Sequence, residues 1–202
     1  MDAAAILLSL FISYWFTICI IMYIAASRAY SYRGIRLKKY PVAGYLTVIL
    51  YQGAVTYFMV YHGSSINKTL GVPAAGMIAA SLLIGGFYPL TQIYQHEADK
   101  KDGVITISAL LGYRGTFIFT ALIYTLAMGV LAWWFFKNGE QKKFMVLATM
   151  MLPILVYFFI WAGLVWKDAR AANFTNTMRM TLLASICTNL AFLTILIWRG
   201  FE

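Results

Sequence analysis

Charge is what this sequence has least of. Of its 202 residues only 11% are Asp, Glu, Lys or Arg, and just seven are acidic. Soluble domains carry roughly 25% charged residues, so a chain that meets water on every side is excluded. Cysteine is scarce as well. The two cysteines lie within apolar stretches, where they are expected to pack as small apolar residues, and they say nothing about the redox compartment.

Long apolar stretches take the place of charge, and the mean hydropathy is +0.75. Six runs contain no Asp, Glu, Lys or Arg: Ala3–Ser27, Tyr40–Asn67, Thr69–His96, Gly115–Phe136, Phe144–Trp166 and Met180–Trp198. Each reaches the roughly 17–25 residues that a helix needs to cross the hydrocarbon core. A backbone in lipid must also satisfy its own hydrogen bonds. The sequence therefore predicts an all-α polytopic bundle of six transmembrane helices, forming one domain over residues 1–202.

Positive charge is distributed unevenly between the predicted loops. Eleven of the sixteen Lys and Arg residues fall in or beside the first, third and fifth loops, which by the positive-inside rule face the cytoplasm. The amino terminus is then expected on the opposite side. The first run has no basic stretch before it and is longer than the apolar part of a signal peptide, so it is interpreted as a transmembrane helix.

Three of the seven acidic residues lie in the stretch QHEADKKDG, residues 95–103, called the acidic segment below. Pro89 predicts a kink before it, and Gly103 predicts a helix end. Helical spacing would place five polar residues on one face: Gln92, Gln95, His96, Asp99 and Asp102. Oxygen ligands one turn apart suit Mg²⁺, which takes one or two carboxylates together with substrate phosphates. We expect His96 to form an interfacial hydrogen bond rather than to bind metal.

A second polar stretch, AYSYRGIRLKKYP over residues 29–41, is called the basic loop below. Opposite a carboxylate cluster, Arg36, Lys38 and Lys39 suit the oxygens of a metal-bridged diphosphate. Two plainer interpretations stay open. The loop also fits a positive-inside segment that touches anionic lipid headgroups. Asp99 also fits a solvated ion pair with a neighbouring lysine.

Together the two stretches resemble the UbiA superfamily of intramembrane prenyltransferases. The stretch TQIYQHEADKKDGVITISALLG is similar to that family's second aspartate-rich motif. The matching positions are Asp99, Gly103, Thr106, Ser108 and residues 110–112. The family's middle cytoplasmic loop is similar to the basic loop, with matches at Tyr30, Ser31, Arg36, Leu37, Lys38 and Pro41. The resemblance covers nearly the whole chain.

Two features depart from the family's pattern. Its second motif is usually Asp-x-x-x-Asp, whereas Gln95 takes the first position here, so metal binding would depend more on Asp102 or Glu97. Its first aspartate-rich motif, between the second and third helices, is absent. The family fold has nine transmembrane helices, and the six predicted here match its last six. We therefore expect the chain to lack three amino-terminal helices, through fragmentation, a mis-set start codon or divergence.

The resemblance implies Mg²⁺-dependent transfer of an isoprenyl group from a prenyl diphosphate to an aromatic or lipophilic acceptor within the membrane. Metal ligands would be Asp99, Gln95 and Asp102, and the diphosphate would be stabilised by Lys38, Arg36 and Tyr30. Without the first motif, this chain alone is expected to have little or no activity. Expected partners are the bilayer and the two substrates, not nucleic acid. The expected location is the bacterial cytoplasmic membrane, with the site loops facing the cytoplasm.

The main alternative is a non-catalytic integral membrane protein, either a divergent homologue or a small carrier. Gln52 and Asn189, polar residues inside the predicted helices, would then form helix–helix hydrogen bonds or line a substrate path. Transfer of a phosphatidyl group would also use Mg²⁺ and cytoplasmic carboxylates. That chemistry normally needs a longer array of aspartates with interspersed Gly and Arg, which the sequence does not contain.

Overall fold

A computed structural model of the chain describes residues 1–198 in full and residue 199 along its backbone. Over that range the chain is helical and contains no β-strand. The α-helices are α1 (Asp2–Leu10), α2 (Tyr14–Ser31), α3 (Pro41–Val48), α4 (Thr56–Ser64), α5 (Ala74–Gln92), α6 (His96–Lys101), α7 (Ile107–Lys137), α8 (Gln141–Lys167) and α9 (Phe174–Arg199). A π-helix, Ile49–Val55, joins α3 to α4. Short 3₁₀ turns cover Leu37–Lys39, Ile93–Gln95 and Ala169–Ala171. The predicted all-α class is confirmed.

Five helical stretches are long and apolar enough to cross a membrane. They are Pro41–Ser64, Ala74–Lys101, Ile107–Lys137, Gln141–Lys167 and Phe174–Trp198. Each overlaps one of the charge-free runs from which a transmembrane helix was predicted. Apolar helices of this length satisfy their own backbone hydrogen bonds in lipid. The described part of the chain is therefore that of an integral membrane protein with five candidate spans.

The first charge-free run, Ala3–Ser27, is divided between two helices, and a sixth span is not confirmed. Helix α1 has only nine residues. The chain then turns, and the Ser13 side chain caps α2 by accepting a hydrogen bond from the backbone N–H of Phe16 at 3.0 Å. Hydropathy does not detect this break, because the turn at residues 11–13 contains neither glycine nor proline.

Helix α1 folds back along α2. The Ser9 and Thr17 hydroxyls are 3.0 Å apart, and Asp2 forms an ion pair with Arg28 near the far end of α2. The first residues of the chain therefore lie near the basic loop. The expectation that they lie on the opposite side of the bundle is wrong, because the run forms a hairpin rather than one crossing helix.

The core lies where α5, α7, α8 and α9 meet, towards the end that carries the acidic segment. Phe117 and Trp161 meet edge to face with ring centroids 5.0 Å apart. Trp161 is fully buried, and its indole N–H donates to the carbonyl of Ala171 at 2.8 Å. Ile93, two residues before the acidic segment, is also fully buried in this core. The core thus anchors the start of the acidic segment.

The acidic segment ends as predicted and meets the basic loop. Gly103 follows α6 with a φ of +66°, a left-handed conformation that glycine adopts without steric cost. The N–H of Val104 then closes the end by donating to the carbonyl of Asp99 at 2.8 Å. Arg36 of the basic loop lies 3.2 Å from Asp102. The predicted placement of both stretches at one end of the bundle is therefore confirmed.

Candidate functional site

The acidic segment begins in a 3₁₀ turn and not in a continuous α-helix. Pro89 lies inside α5, which ends at Gln92, and the chain winds more tightly over Ile93–Gln95 before α6 starts at His96. Proline removes a backbone donor and crowds the turn before it, which accounts for the change of winding near this end. The prediction of one uniform helical face across this segment is therefore wrong.

His96 points towards α7. Its Nε2 lies 2.8 Å from the Ser108 hydroxyl, and its ring stacks on that of Tyr113 with centroids 4.7 Å apart. The Ser108 hydroxyl lies 3.0 Å from that of Thr116. This chain of contacts joins α6 to α7. His96 is therefore a hydrogen-bonding residue between helices.

Asp99 is a carboxylate with unused hydrogen-bonding capacity at a buried oxygen. It is half-buried, and its Oδ2 is buried with no hydrogen-bond partner among the described residues. The positive charges of Lys38 and Arg36 both act on it. Asp102 is exposed and accepts a hydrogen bond from Arg36 at 3.2 Å. Two predicted metal ligands thus lie beside two predicted diphosphate-binding cations.

Two glutamines near Asp99 differ in how well their amides are satisfied. Gln95 donates from Nε2 to the carbonyl of Thr91 at 3.3 Å, so this predicted ligand is tied to its own helix. Gln92 is only 7% exposed, and its Oε1 has no hydrogen-bond partner in the described part of the chain. A buried polar atom without a partner costs about 1–3 kcal/mol. Gln92 is thus a candidate oxygen ligand that sequence reasoning placed on the face but did not select.

The basic side chains of the basic loop differ in burial. Arg36 and Lys38 are half-buried and their charges act on Asp99 of the acidic segment, whereas Arg33 and Lys39 are exposed. Arg36 has a φ of +46°, a left-handed conformation that costs a residue with a Cβ about 1–2 kcal/mol. Such strain persists where surrounding contacts hold it, often at ligand-binding sites. Here the 3₁₀ turn Leu37–Lys39 follows at once and contains Lys38, whose charge acts on Asp99.

The hydroxyls of Tyr30 and Tyr88 form a hydrogen bond between the start of the basic loop, in the last turn of α2, and α5. The later part of the basic loop packs close against α3 because Gly44 has no side chain. A Cβ there would lie 3.2 Å from the Leu37 carbonyl oxygen and 3.3 Å from Lys38 Cα. Sequence reasoning selected Tyr30 but missed Tyr88. The feature that could have identified Tyr88 as a site residue is its position one helical turn before Gln92, which puts both on the same face of α5.

A cavity of about 120 Å³ lies against this tyrosine pair, between α2, the α3–π stretch and α5. Four of its lining residues are tyrosines, and none is charged. The full set is Tyr23, Ala26, Ser27, Tyr30, Thr47, Val48, Tyr51, Gln52 and Tyr88. Two of its members, Ser27 and Gln52, are also exposed on the surface of the bundle. The cavity therefore runs from the tyrosine pair to the outer surface.

The π-helix forms one wall of this tyrosine cavity and contributes Tyr51 and Gln52 to it. A single turn of π-helix is rare and is frequently found at functional sites. Contacts with α5 hold it in place. The Ser81 hydroxyl donates to the carbonyl of Ile49 at 3.1 Å, and a Cβ at Gly53 would lie only 2.5 Å from Ser81 Cα. The wider winding therefore depends on packing that no local pattern reveals.

The structure brings together four of the six predicted site residues, namely Arg36, Lys38, Asp99 and Asp102. Tyr30 forms its hydrogen bond with Tyr88, and Gln95 bonds to the Thr91 carbonyl. Among the described residues there is no group of three or more His, Cys, Asp or Glu side chains placed to hold a metal ion. A cation here would therefore have to combine the aspartates with amide or substrate oxygens.

Comparison with protein-family models, with curated proteins and with solved structures gives no match for this chain. Membership of the UbiA superfamily therefore stays a prediction. What the protein does has to be inferred from the motifs of its sequence and the geometry of this site.

Proposed function

We propose that this protein is a UbiA-type, Mg²⁺-dependent prenyltransferase, moving an isoprenyl group from a prenyl diphosphate to an aromatic or lipophilic acceptor within the membrane. The main support is the meeting of the basic loop with the acidic segment. Arg36 and Asp102 pair across 66 positions of sequence, and the charges of Arg36 and Lys38 act on Asp99. Cations that suit a diphosphate and oxygens that suit Mg²⁺ lie side by side.

The oxygens beside the basic loop fit a hard divalent cation. Asp99 Oδ2 and Gln92 Oε1 are buried and have no partner among the described residues. Hard cations take oxygen ligands, and an unpaired buried oxygen is stabilised by one. Asp99 would be the principal ligand, with Asp102, Gln95 and Gln92 as further oxygens. The bound ion would neutralise charge on the diphosphate.

The basic loop would act on the leaving group. In the transfer, the bond between prenyl C1 and the diphosphate oxygen breaks, a bond from the acceptor to C1 forms, and the acceptor releases one proton to solvent. Lys38 and Arg36 would hold the phosphate oxygens and stabilise the charge that the leaving diphosphate gains. Arg36 would exchange its bond to Asp102 for the diphosphate. Tyr30 would donate a hydrogen bond.

The membrane setting we propose has the five candidate spans and a first membrane segment made by the α1–α2 hairpin. The excess of Lys and Arg at the end with the basic loop supports a cytoplasmic position for that end. A bacterial cytoplasmic membrane would provide that arrangement. Reaction of single introduced cysteines with an impermeant thiol reagent in intact cells tests it. Labelling of an Arg33→Cys variant from outside the cell would contradict the orientation.

The activity is tested by release of diphosphate from a labelled prenyl diphosphate by the purified full-length protein. We expect release that requires Mg²⁺, stops on chelation, and is lost in Asp99→Asn. Asp168→Asn is the matched control, since Asp168 is also beside an arginine but lies in the loop before α9. An absence of release, or full release by Asp99→Asn, would overturn the proposal and favour the non-catalytic alternative.

A further inference from the structure

Four polar groups of the tyrosine cavity form no hydrogen bond with the described residues. They are the Gln52 amide and the hydroxyls of Tyr23, Ser27 and Tyr51. The rings of Tyr23 and Tyr51 meet edge to face with centroids 6.4 Å apart, so both are held in place while their hydroxyls stay available. Asn189, the other polar residue predicted inside a helix, differs because it donates to the Ser185 carbonyl at 2.8 Å.

The depth of Gln52 makes its lack of a partner significant. It lies eleven residues beyond Pro41, where this helical stretch begins, which corresponds to about 16 Å along the helix axis. That is near the middle of a hydrocarbon core about 30 Å thick. Polar side chains at this depth normally face a partner or a cavity that holds one, because lipid offers no hydrogen bonds. The arrangement therefore calls for a ligand with a hydrogen-bonding group.

The size and charge of the cavity limit what that ligand is. Its volume is about 120 Å³, and an apolar cavity of about 150 Å³ is known to take up benzene. The cavity therefore matches one six-membered ring or one isoprene unit. An isoprene unit would leave all four polar groups unsatisfied. An ionised ring substituent would be buried among neutral residues without a counter-charge, which is costly.

We propose that the tyrosine cavity binds one uncharged six-membered ring carrying a hydroxyl or carbonyl group, and that Gln52 and Tyr51, placed there by the π-helix, recognise that substituent. The inference rests on the proposed function in one respect, since such a ring would be the acceptor of the isoprenyl group. Its position next to Tyr30 and Tyr88 brings it close to the basic loop, where the diphosphate would lie. Binding of the ring itself requires neither Mg²⁺ nor diphosphate.

The test is fluorine NMR of three probes with the full chain in lipid nanodiscs, and empty nanodiscs correct for partitioning into lipid. The probes are para-fluorophenol, fluorobenzene and para-fluorobenzoate, without Mg²⁺ or diphosphate. We expect saturable binding of the phenol, binding of fluorobenzene about tenfold weaker because one hydrogen bond is missing, and no binding of the benzoate. Gln52→Leu should weaken the phenol about tenfold and leave fluorobenzene unchanged. Asn189→Leu is the matched control and should change neither.

Equal affinity for phenol and fluorobenzene, unchanged phenol binding in Gln52→Leu, or no saturable binding at all would each overturn the inference. Thermal unfolding checks that the variants fold, and Tyr51→Phe, which keeps the ring and removes only the hydroxyl, gives a second measure. Ring binding without prenyl transfer would overturn the proposed function alone. Prenyl transfer without ring binding would overturn this inference alone.

Discussion

At the end of the bundle away from the basic loop, His62 is only 1% exposed, and both of its ring nitrogens are hydrogen-bonded. Nδ1 donates to the Thr69 carbonyl at 2.9 Å, and the Ser13 hydroxyl donates to Nε2 at 2.6 Å. At the other end, Asp99 and Gln92 each bury an oxygen with no partner among the described residues. Both ends thus bury polar groups. Among the described residues, the buried ring nitrogens of His62 have hydrogen-bond partners, whereas the buried oxygens of Asp99 and Gln92 have none.

That difference separates a structural role from a functional one. A buried polar group that is fully bonded stabilises the fold and has no capacity left for a ligand. A buried oxygen without a partner reduces stability unless something else supplies the missing bond. Ser13, His62 and Thr69 join the α1–α2 turn to the end of α4 and the loop after it. Asp99 and Gln92 instead have oxygens that a cation or a donor would satisfy.

The largest expected effect is on diphosphate affinity, at the end of the bundle that carries the acidic segment. Lys38→Gln should lower the affinity for Mg²⁺-bound inorganic diphosphate about 100-fold, because it removes a charged contact next to Asp99. Isothermal titration calorimetry of the full chain in nanodiscs measures this. Lys68→Gln, at the other end, is the matched control and should leave the affinity unchanged. Equal losses from both variants would mean that net charge, and not the site, binds the anion.

At the other end of the bundle, where His62 is fully hydrogen-bonded, His62→Ala should destabilise the protein without affecting diphosphate binding. The change removes two hydrogen bonds and leaves a cavity beside Phe58, whose ring stacks on His62 with centroids 5.7 Å apart. We expect a loss of about 2–3 kcal/mol in the free energy of unfolding, measured by denaturant titration in detergent. A His62→Ala protein that keeps its stability but binds diphosphate more weakly would contradict this prediction, because it would give His62 a binding role and not a structural one.

Sequence patterns predicted much of this arrangement but not the polar end at His62. Charge-free runs locate the spans because lipid excludes charge, and the uneven distribution of Lys and Arg predicted that the basic loop and the acidic segment share one side. The α1–α2 turn was not predicted, since its cap at Ser13 looks like any serine in an apolar run. The bond from Ser13 to His62 joins positions 49 residues apart, which no local spacing indicates.

The same limit applies to the tyrosine cavity. Gln52 was identified as polar within a helix, but its side chain reaches the cavity because the chain winds as a π-helix there. That winding depends on the Ser81 hydroxyl and on the close approach of Gly53 to α5. Both contacts belong to the packing of two helices. For the same reason Tyr88 was missed, since only packing brings its hydroxyl to that of Tyr30.

A smaller effect tests whether packing on Ser81 holds the π-helix. In Gly53→Ala the new Cβ would lie 2.5 Å from Ser81 Cα, and backbone cannot yield at low cost. We expect a loss of about 1–3 kcal/mol in stability, together with weaker binding of para-fluorophenol. Gly129→Ala, inside α7 with open space around it, is the control and should gain about 0.5–1 kcal/mol. Equal changes in both variants would show that the contact with Ser81 is unimportant.

The smallest expected effect concerns Asp168, a polar group that is paired but exposed. The side-chain hydrogen bond from Arg170, with that of its backbone N–H, holds the pKa of this carboxyl below its ordinary 3.8. A lowered pKa means that the carboxylate stabilises the turn Ala169–Ala171 above pH 3.8, and that this contribution disappears as the pH falls through the lower, folded-state value. Hydrogen exchange at the Arg170 amide should therefore accelerate in that acidic range, with little change in global unfolding. Asp168→Asn keeps an acceptor oxygen without the titration, so it should remove the pH dependence. Persistence of that dependence in Asp168→Asn would assign it to another group.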